Sequence, residues 1–448
     1  MYRIISRLLI YGDMPADSIL MQLGDIFRRL EDHSQTREEL RTRVFTQIKR
    51  LLKLATDYGF DENLWQNYLT YLLITDENPF SLTCEKVGAG DGSVNHFALG
   101  DFQAFIDLFH FDFSGIESEL DVDCFSLITH YRAIVKKERM YNKNVSDKVR
   151  SLSRSLACAA GADDFFRLVT GFYRDYGVGM FGLNKAFRIA SKGEEEVSIF
   201  PINNMDSVTL DDLIGYEHQK KQLIDNTLAF VEGRSANNAL LYGDAGTGKS
   251  TSIKAIVNEF YDQGLRMIEI YKHQFKDLSN VIARIKNRGY RFIIYMDDLS
   301  FEEFEIEYKF LKAVIEGGVE TRPDNILIYA TSNRRHLIRE TWDDRNDMEH
   351  GGDIHRSDTL EEKLSLASRF GCSICYLKPS RQEFDKMVVQ LARRRGLDIS
   401  RDELLKEANR WEIRHGGISG RTAAQFINYL AGNPHLIRQT ALKESASE

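Results

Sequence analysis

The stretch GDAGTGKS, Gly243 to Ser250, constrains this chain more than any other. It fits the pattern G-x-x-x-x-G-K-[ST] at every fixed position, and it lies between a predicted strand, NNALLYG, and a predicted helix, KSTSIKAIVNEFYDQG. That strand-loop-helix context is what the pattern needs in order to carry chemistry. The glycines let Gly243, Asp244, Ala245, Gly246, Thr247 and Gly248 curl so that successive N–H groups point at phosphate oxygens. The helix that follows, with Thr251 in its first turn, adds the partial positive charge of its N-terminus. Lys249 would reach the β- and γ-phosphates, and the Ser250 hydroxyl would ligate Mg²⁺. The stretch therefore predicts a site for a nucleoside triphosphate, ATP, together with magnesium.

A second stretch belongs to the same site. In YRFIIYMDDLSFEEFE an apolar run ends abruptly in Asp297 and Asp298. Adjacent like charges at the end of a buried strand call for a cation. In a protein with a phosphate loop, the strand bearing these acids is expected beside the loop strand, with Asp297 facing the magnesium. Asp298 is then the group that orients or deprotonates the attacking water, so the two carboxylates have different tasks.

Around these stretches, strands alternate with helices. LRMIEIY, RFIIYMDD and NILIYATSN read as further strands, with LSNVIARIKNRG and YKFLKAVIEGG as the helices between them. This spacing predicts a parallel sheet covered on both faces. Before it the pattern is helical: in RVFTQIKRLLKLATDYGF the residues Val44, Phe45, Ile48, Leu51, Leu52 and Ala55 are expected on one buried face. The polar stretch ASKGEEEVSIFPINNMDSV, interrupted by Pro201, reads as a boundary. The expected divisions are a mostly helical domain over 1–195, an α/β nucleotide-binding core over 196–378, a helical lid over 379–435 and a tail over 436–448.

Composition narrows the classes further. At 448 residues with 43% hydrophobic and 28% charged residues, the chain is long enough for several cores. Its formal charge of −8 leaves nucleic-acid binding to a local patch. The candidate patch is Arg132, Lys136, Lys137, Arg139, Lys143, Lys148 and Arg150, for which a solvated helix face is the simpler reading, as it is for ARRRG at Arg394. Of five cysteines only Cys372 and Cys375 form a CxxC. In GCSICYL they read as small residues of a strand rather than as zinc ligands. No apolar run nears the ~18 residues of a membrane span, and the N-terminus does not read as a cleaved leader. The expected location is the cytoplasm. His350 and His355, in the polar stretch 342–362, match no metal-ligand spacing and read as part of a loop.

Several of these stretches together resemble the AAA+ ATPases. ILIYATSN places Asn333 like the polar sensor residue past the fourth strand, and LASRFG places Arg369 like an arginine finger that acts on a neighbouring subunit's nucleotide. GGISGRTAAQF is similar to the second sensor, with Arg421 starting a lid helix, and LDDLIGYEHQK to the segment whose Leu213, Ile214 and Gly215 flank the adenine. Closer still, DLIGYEHQK, NTLAFVEG, NNALLYGDAGTGKS, GLRMIEI, MDDLSFEEFEIEYKFLKAVIEGG and YATSNRRHLIRE resemble one family of uncharacterised bacterial ATP-binding proteins, DUF815, over roughly Phe181 to Leu430. The resemblance implies an α/β P-loop NTPase core of three layers with a helical lid, ATP hydrolysis at subunit interfaces, a homo-oligomer and an unidentified protein partner. Many AAA+ proteins carry Glu where this chain has Asp298, and an acidic residue where it has Ser368. Two other readings stand beside it: a nucleic-acid-associated ATP switch with slow hydrolysis, like the helicase loaders, and a P-loop kinase.

Overall fold

The computed structural model describes residues 1–134, 141–192, 196–203, 205–301, 307–316, 323–334, 337 and 366–433. Stretch 342–362 with His350 and His355, the residues Lys136, Lys137, Arg139 and Arg335, and the tail after 433 lie outside them. The chain divides into two compact units, Met1–Lys185 with Phe200–Met205, and Ala186–Ile199 with Asp206–Glu448.

The first unit is helical. Its longer helices are α1 (Ile19–Glu31), α2 (Arg37–Tyr58), α3 (Leu64–Thr75), α4 (Pro79–Val87), α5 (Ser93–Phe109), α6 (Lys143–Ala157) and α7 (Ala162–Tyr176). Local signals set their starts: Thr36 and Glu39 form a reciprocal cap on α2, and Asn78 with Ser81 does the same on α4. Gly59, left-handed at φ 67°, closes α2. On α2 the buried stripe is Val44, Ile48, Leu51 and Ala55, whereas Phe45 and Leu52 are exposed. The expected six-residue face was one position too wide, because a residue after a buried one is turned about 100° around the axis. The core is rich in rings. Phe113 stacks on Phe125 with centroids 4.4 Å apart, and Trp65 meets the edge of Phe113 at 5.4 Å.

The second unit is built on a seven-stranded sheet of β1 (Ala186–Lys192), β2 (Glu196–Pro201), β3 (Ala239–Gly243), β4 (Leu265–Glu269), β5 (Arg291–Met296), β6 (Ile326–Ser332) and β7 (Cys372–Tyr376). Their order is β2-β1-β4-β5-β6-β3-β7, and every pairing from β1 to β7 is parallel. All seven residues of β6 are buried, as a strand covered on both faces requires. Helices α8 (Glu217–Val231), α9 (Lys249–Phe260), α10 (Leu278–Ile285) and α11 (Glu307–Glu316) lie along the chain between the strands, and the lid is α12 (Arg381–Arg394), α13 (Arg401–Arg414) and α14 (Gly420–Gly432). Helix α9 buries Ile253, Ile256, Val257 and Phe260, each contributing roughly 1.5–3 kcal/mol. The lid has its own small core around Phe384, Val388, Ala423 and Phe426.

Two expectations need correction. The boundary stretch carries strand: β1 and β2 join the sheet at its edge. The acid-bearing strand β5 is also not beside the loop strand β3, because β6 lies between them. The register shows how the site survives this insertion. Met296 pairs with Ala330 of β6, so Asp297 falls level with Thr331, and Thr331 pairs with Leu241 of β3. The three strand ends are aligned, and the acids reach past a small polar residue on the intervening strand.

Candidate functional site

The loop after β3 follows from its glycines. Gly243 has φ 126°, and a Cβ there would stand 2.2 Å from the Tyr376 carbonyl oxygen of β7, so no side chain fits. Gly246, at φ 76°, brings the backbone against the lid, where a Cβ would meet Arg421 Cβ and Ser419 Oγ at 3.1 Å. The Gly246 carbonyl accepts the Arg421 N–H at 3.0 Å, tying the loop to the start of α14. That start is set by Ser419, whose hydroxyl accepts the Thr422 N–H. Helix α9 begins at Lys249 behind Gly248 without a side-chain cap, so its first-turn N–H groups face the loop's concavity.

Lys249 is buried, and its ammonium donates to the carbonyls of Gly243 (2.9 Å) and Asp244 (2.6 Å) and to Asn333 Oδ1 (3.0 Å). Burial lowers its pKa, the Asp244, Asp298 and Asp297 charges oppose that, and the nearby Arg421 charge adds to the lowering. Ser250 Oγ donates to Asp297 Oδ1 at 2.7 Å, and Thr331 Oγ1 donates to the same oxygen at 2.6 Å. Burial pushes the Asp297 carboxyl up, but the bonds from Thr331 and Ser250 help outweigh it and hold the group below its ordinary value. Burial pushes the neighbouring Tyr295 phenol up, and the Asp297 charge adds to it.

Asp298 is different. Its backbone is left-handed at φ 51°, its N–H donates to Thr331 Oγ1 at 2.9 Å, and its Oδ1 accepts the Asn333 amide at 2.8 Å. Asp tolerates this backbone region better than longer side chains do, which gives a physical reason for Asp where Glu is common. The two carboxylates thus point to different partners.

Lys249, Ser250, Asp297, Asp298, Thr331, Asn333 and Arg421 line one cavity of about 600 Å³. Ala245, Gly246, Thr247, Gly248, Lys249, Ser250 and Thr251 form its floor, Asp297, Asp298 and Asn333 one wall, and Arg421 reaches it from the lid. The rest of its lining is largely apolar, with Leu213, Ile214 and Tyr216 and, from the lid, Met387, Leu391 and Ala424, beside Asp212. Gly243, Asp244, Gly215 and Arg369 are not lining residues. Gly215 is left-handed at φ 83° and adjoins Met387, and Asp244 turns its carboxylate to the Lys378 N–H at 2.7 Å. Arg369 is half-buried after the helical turn at 366–368. Sequence reasoning missed Thr331, Met387 and Leu391. Thr331 stands near the end of β6, two residues before Asn333. The lid pair is spaced i, i+4 and reads as ordinary helix core.

Elsewhere, the described part of the basic run is largely engaged. Arg150 pairs with Glu62 at 3.4 Å, where Arg154, outside the run, joins it, and Lys148 donates to the Gly182 carbonyl at 3.1 Å. Arg394 pairs with Asp212 at 3.1 Å. Cys372 and Cys375 are free thiols within β7. No group of three or more His, Cys, Asp or Glu among the described residues could hold a metal ion, and no described helix is long and apolar enough to cross a membrane.

A parallel sheet with a glycine loop at the C-terminal end of β3, a buried lysine and paired acids at the end of β5, one strand beyond β6, defines a P-loop nucleotide-binding protein. The chain belongs to the family described as "Protein of unknown function (DUF815)", which it matches over residues 183–434. No curated protein matches it. Among solved structures it is similar to a proline-to-glycine variant of Thermotoga maritima RuvB, at 16% identity and a TM-score of 0.37 over 52% of this chain and 67% of that one. An arginine-to-alanine variant of that protein gives 16% and 0.36 over 51% and 66%. A structure titled as the RuvB Holliday junction branch migration motor gives 14% and 0.31 over 50% and 72%. The alignments span about two thirds of the RuvB chains.

Proposed function

We propose that this protein is an Mg²⁺-dependent ATPase of the AAA+ type, which hydrolyses ATP in this cavity to drive or switch a conformational change in a protein partner. The observation that carries the reading is that Lys249, Ser250, Asp297, Asp298, Asn333 and Arg421 line a single cavity, the rest of whose lining is largely apolar and of suitable chemistry for an adenine ring.

The donor set fits magnesium. Ser250 and Asp297 offer hard oxygens from a hydroxyl and a carboxylate in contact at 2.7 Å, and magnesium is usually held by one or two protein groups plus phosphates and water. When bound, the ion supplies charge neutralisation at the β- and γ-phosphate oxygens. The chain's own residues do the rest. The loop N–H groups and the N-terminus of α9 bind the phosphates. Lys249 now rests on neutral carbonyl oxygens, which phosphate oxygens outcompete because a charged acceptor makes the stronger bond. Asp298, steadied by Asn333, takes the proton of the attacking water. Arg421 offsets charge from the lid side. Arg369, which does not line its own chain's cavity, fits a finger acting on a neighbouring subunit's nucleotide, a contribution of roughly 10³–10⁵ in rate in such enzymes.

The test separates binding from chemistry. Asp298→Asn keeps the size and the Asn333 contact while removing the base. It should bind ATP with Mg²⁺ as the natural chain does and turn over about 10²–10⁴-fold more slowly. Undiminished phosphate release by this variant would remove Asp298 from the mechanism, and no release by the natural chain at any protein concentration would remove the ATPase reading.

A further inference from the structure

Thr331 takes no part in the chemistry above, yet it touches both acids. The side chain is 2% exposed, on the last turnless stretch of β6 before Asn333. Its hydroxyl proton goes to Asp297 Oδ1 at 2.6 Å, and its lone pair receives the Asp298 N–H at 2.9 Å. A hydroxyl has one proton to give and can accept as well, so both bonds are made at once and each fixes the other's direction. Threonine is also β-branched, and its χ1 is stiff in a strand. Serine at 250 shares the same Asp297 oxygen at 2.7 Å, but that hydroxyl is the one assigned to the metal. The Asp298 backbone is left-handed, and the anchored N–H holds that conformation.

We propose that Thr331 is a positioning residue for this site: one buried hydroxyl orients the metal-side carboxylate of Asp297 and fixes the turn that presents the carboxylate of Asp298. The inference rests on the ATPase reading and adds to it the group that keeps the two acids in separate roles. β6 stands between β3 and β5, so the strand that separates the loop from the acids also carries the residue that couples them.

The experiment uses the full chain with Thr331→Val, which keeps the shape and removes the hydroxyl, and Thr331→Ser, which restores it. A fluorescent ATP analogue is titrated with Mg²⁺ and again in EDTA, and turnover is measured alongside. T331V should lower the Mg²⁺ affinity of the nucleotide complex and the turnover by about 10–100-fold, the usual cost of losing an orienting partner. Its EDTA affinity should match the natural chain, and T331S should recover most of both losses. T331A serves in the same way if T331V does not fold. Equal losses with and without Mg²⁺, or a T331S as impaired as T331V, would mean a merely structural role and overturn the inference. A natural chain that turns over beside an unimpaired T331V overturns this inference alone, whereas a natural chain that binds no nucleotide overturns the ATPase reading with it.

Discussion

Asp101 in the helical unit and Asp297 in the sheet unit each accept several hydrogen bonds, but Asp101 is buried and Asp297 is exposed on the wall of a cavity. Asp101, 1% exposed, accepts the backbone N–H groups of Leu9, Ile10 and Tyr11 at 2.8–3.1 Å. Its partners are main chain, and they cannot leave without unfolding a turn. Asp297 accepts two side-chain hydroxyls on the wall of a cavity, and one of them, Ser250, can turn to another ligand by a rotation about χ1. The same contrast holds for other polar groups. The Tyr11 and Tyr173 hydroxyls bond each other at 2.8 Å, Tyr173 donates on to the Leu73 carbonyl at 2.6 Å, and Trp65 Nε1 donates to the Leu108 carbonyl at 2.7 Å. In the sheet unit Lys249, Asn333 and Asp298 form a chain of exchangeable contacts along one wall. Polar groups closed within a packed core hold a fold. Polar groups on a cavity wall, bonded to side chains that can turn away, are the ones equipped for chemistry.

Substitutions in the helical unit should therefore change stability and leave the nucleotide site alone. The largest effect is expected at Trp65, 1% exposed and packed among aromatic rings. Trp65→Ala should cost about 3–5 kcal/mol in denaturant unfolding followed by circular dichroism, with ATP affinity unchanged. A loss of ATP affinity in the folded variant would break the contrast, since it would make a helical-unit residue part of the site. A smaller effect is expected at Asp101. Asp101→Asn places an amide where three N–H donors converge and should cost about 1–3 kcal/mol by the same measurement, again without a change in turnover.

The phosphate loop was legible from sequence because its chemistry needs fixed residue types at fixed spacing, and strand and helix flank it where expected. The acids, Asn333 and Arg421 were legible as members of one site because each follows or begins a regular element whose pattern is strong. Strand order was not legible. β5 and β6 are both continuous apolar runs, and nothing in such a run states which neighbour it takes, so the acids were placed one strand too close to the loop. β1 and β2 were hidden by the polar residues within and between them. Thr331 was within reach, since it stands near the end of β6 only two residues before Asn333. Met387 and Leu391 were not, because a helix face that covers a ligand and a helix face that covers a core have the same spacing.

The claim on which the rest depends is that the lysine-bearing loop holds a triphosphate. Its most direct test is calorimetric titration of the full chain with ATP and Mg²⁺, beside Lys249→Ala. The account predicts saturable binding to the natural chain and a loss of about 100-fold or more in the variant, as expected when a buried charge-assisted contact to phosphate is removed. Equal affinity in the two proteins, both folded, would contradict it.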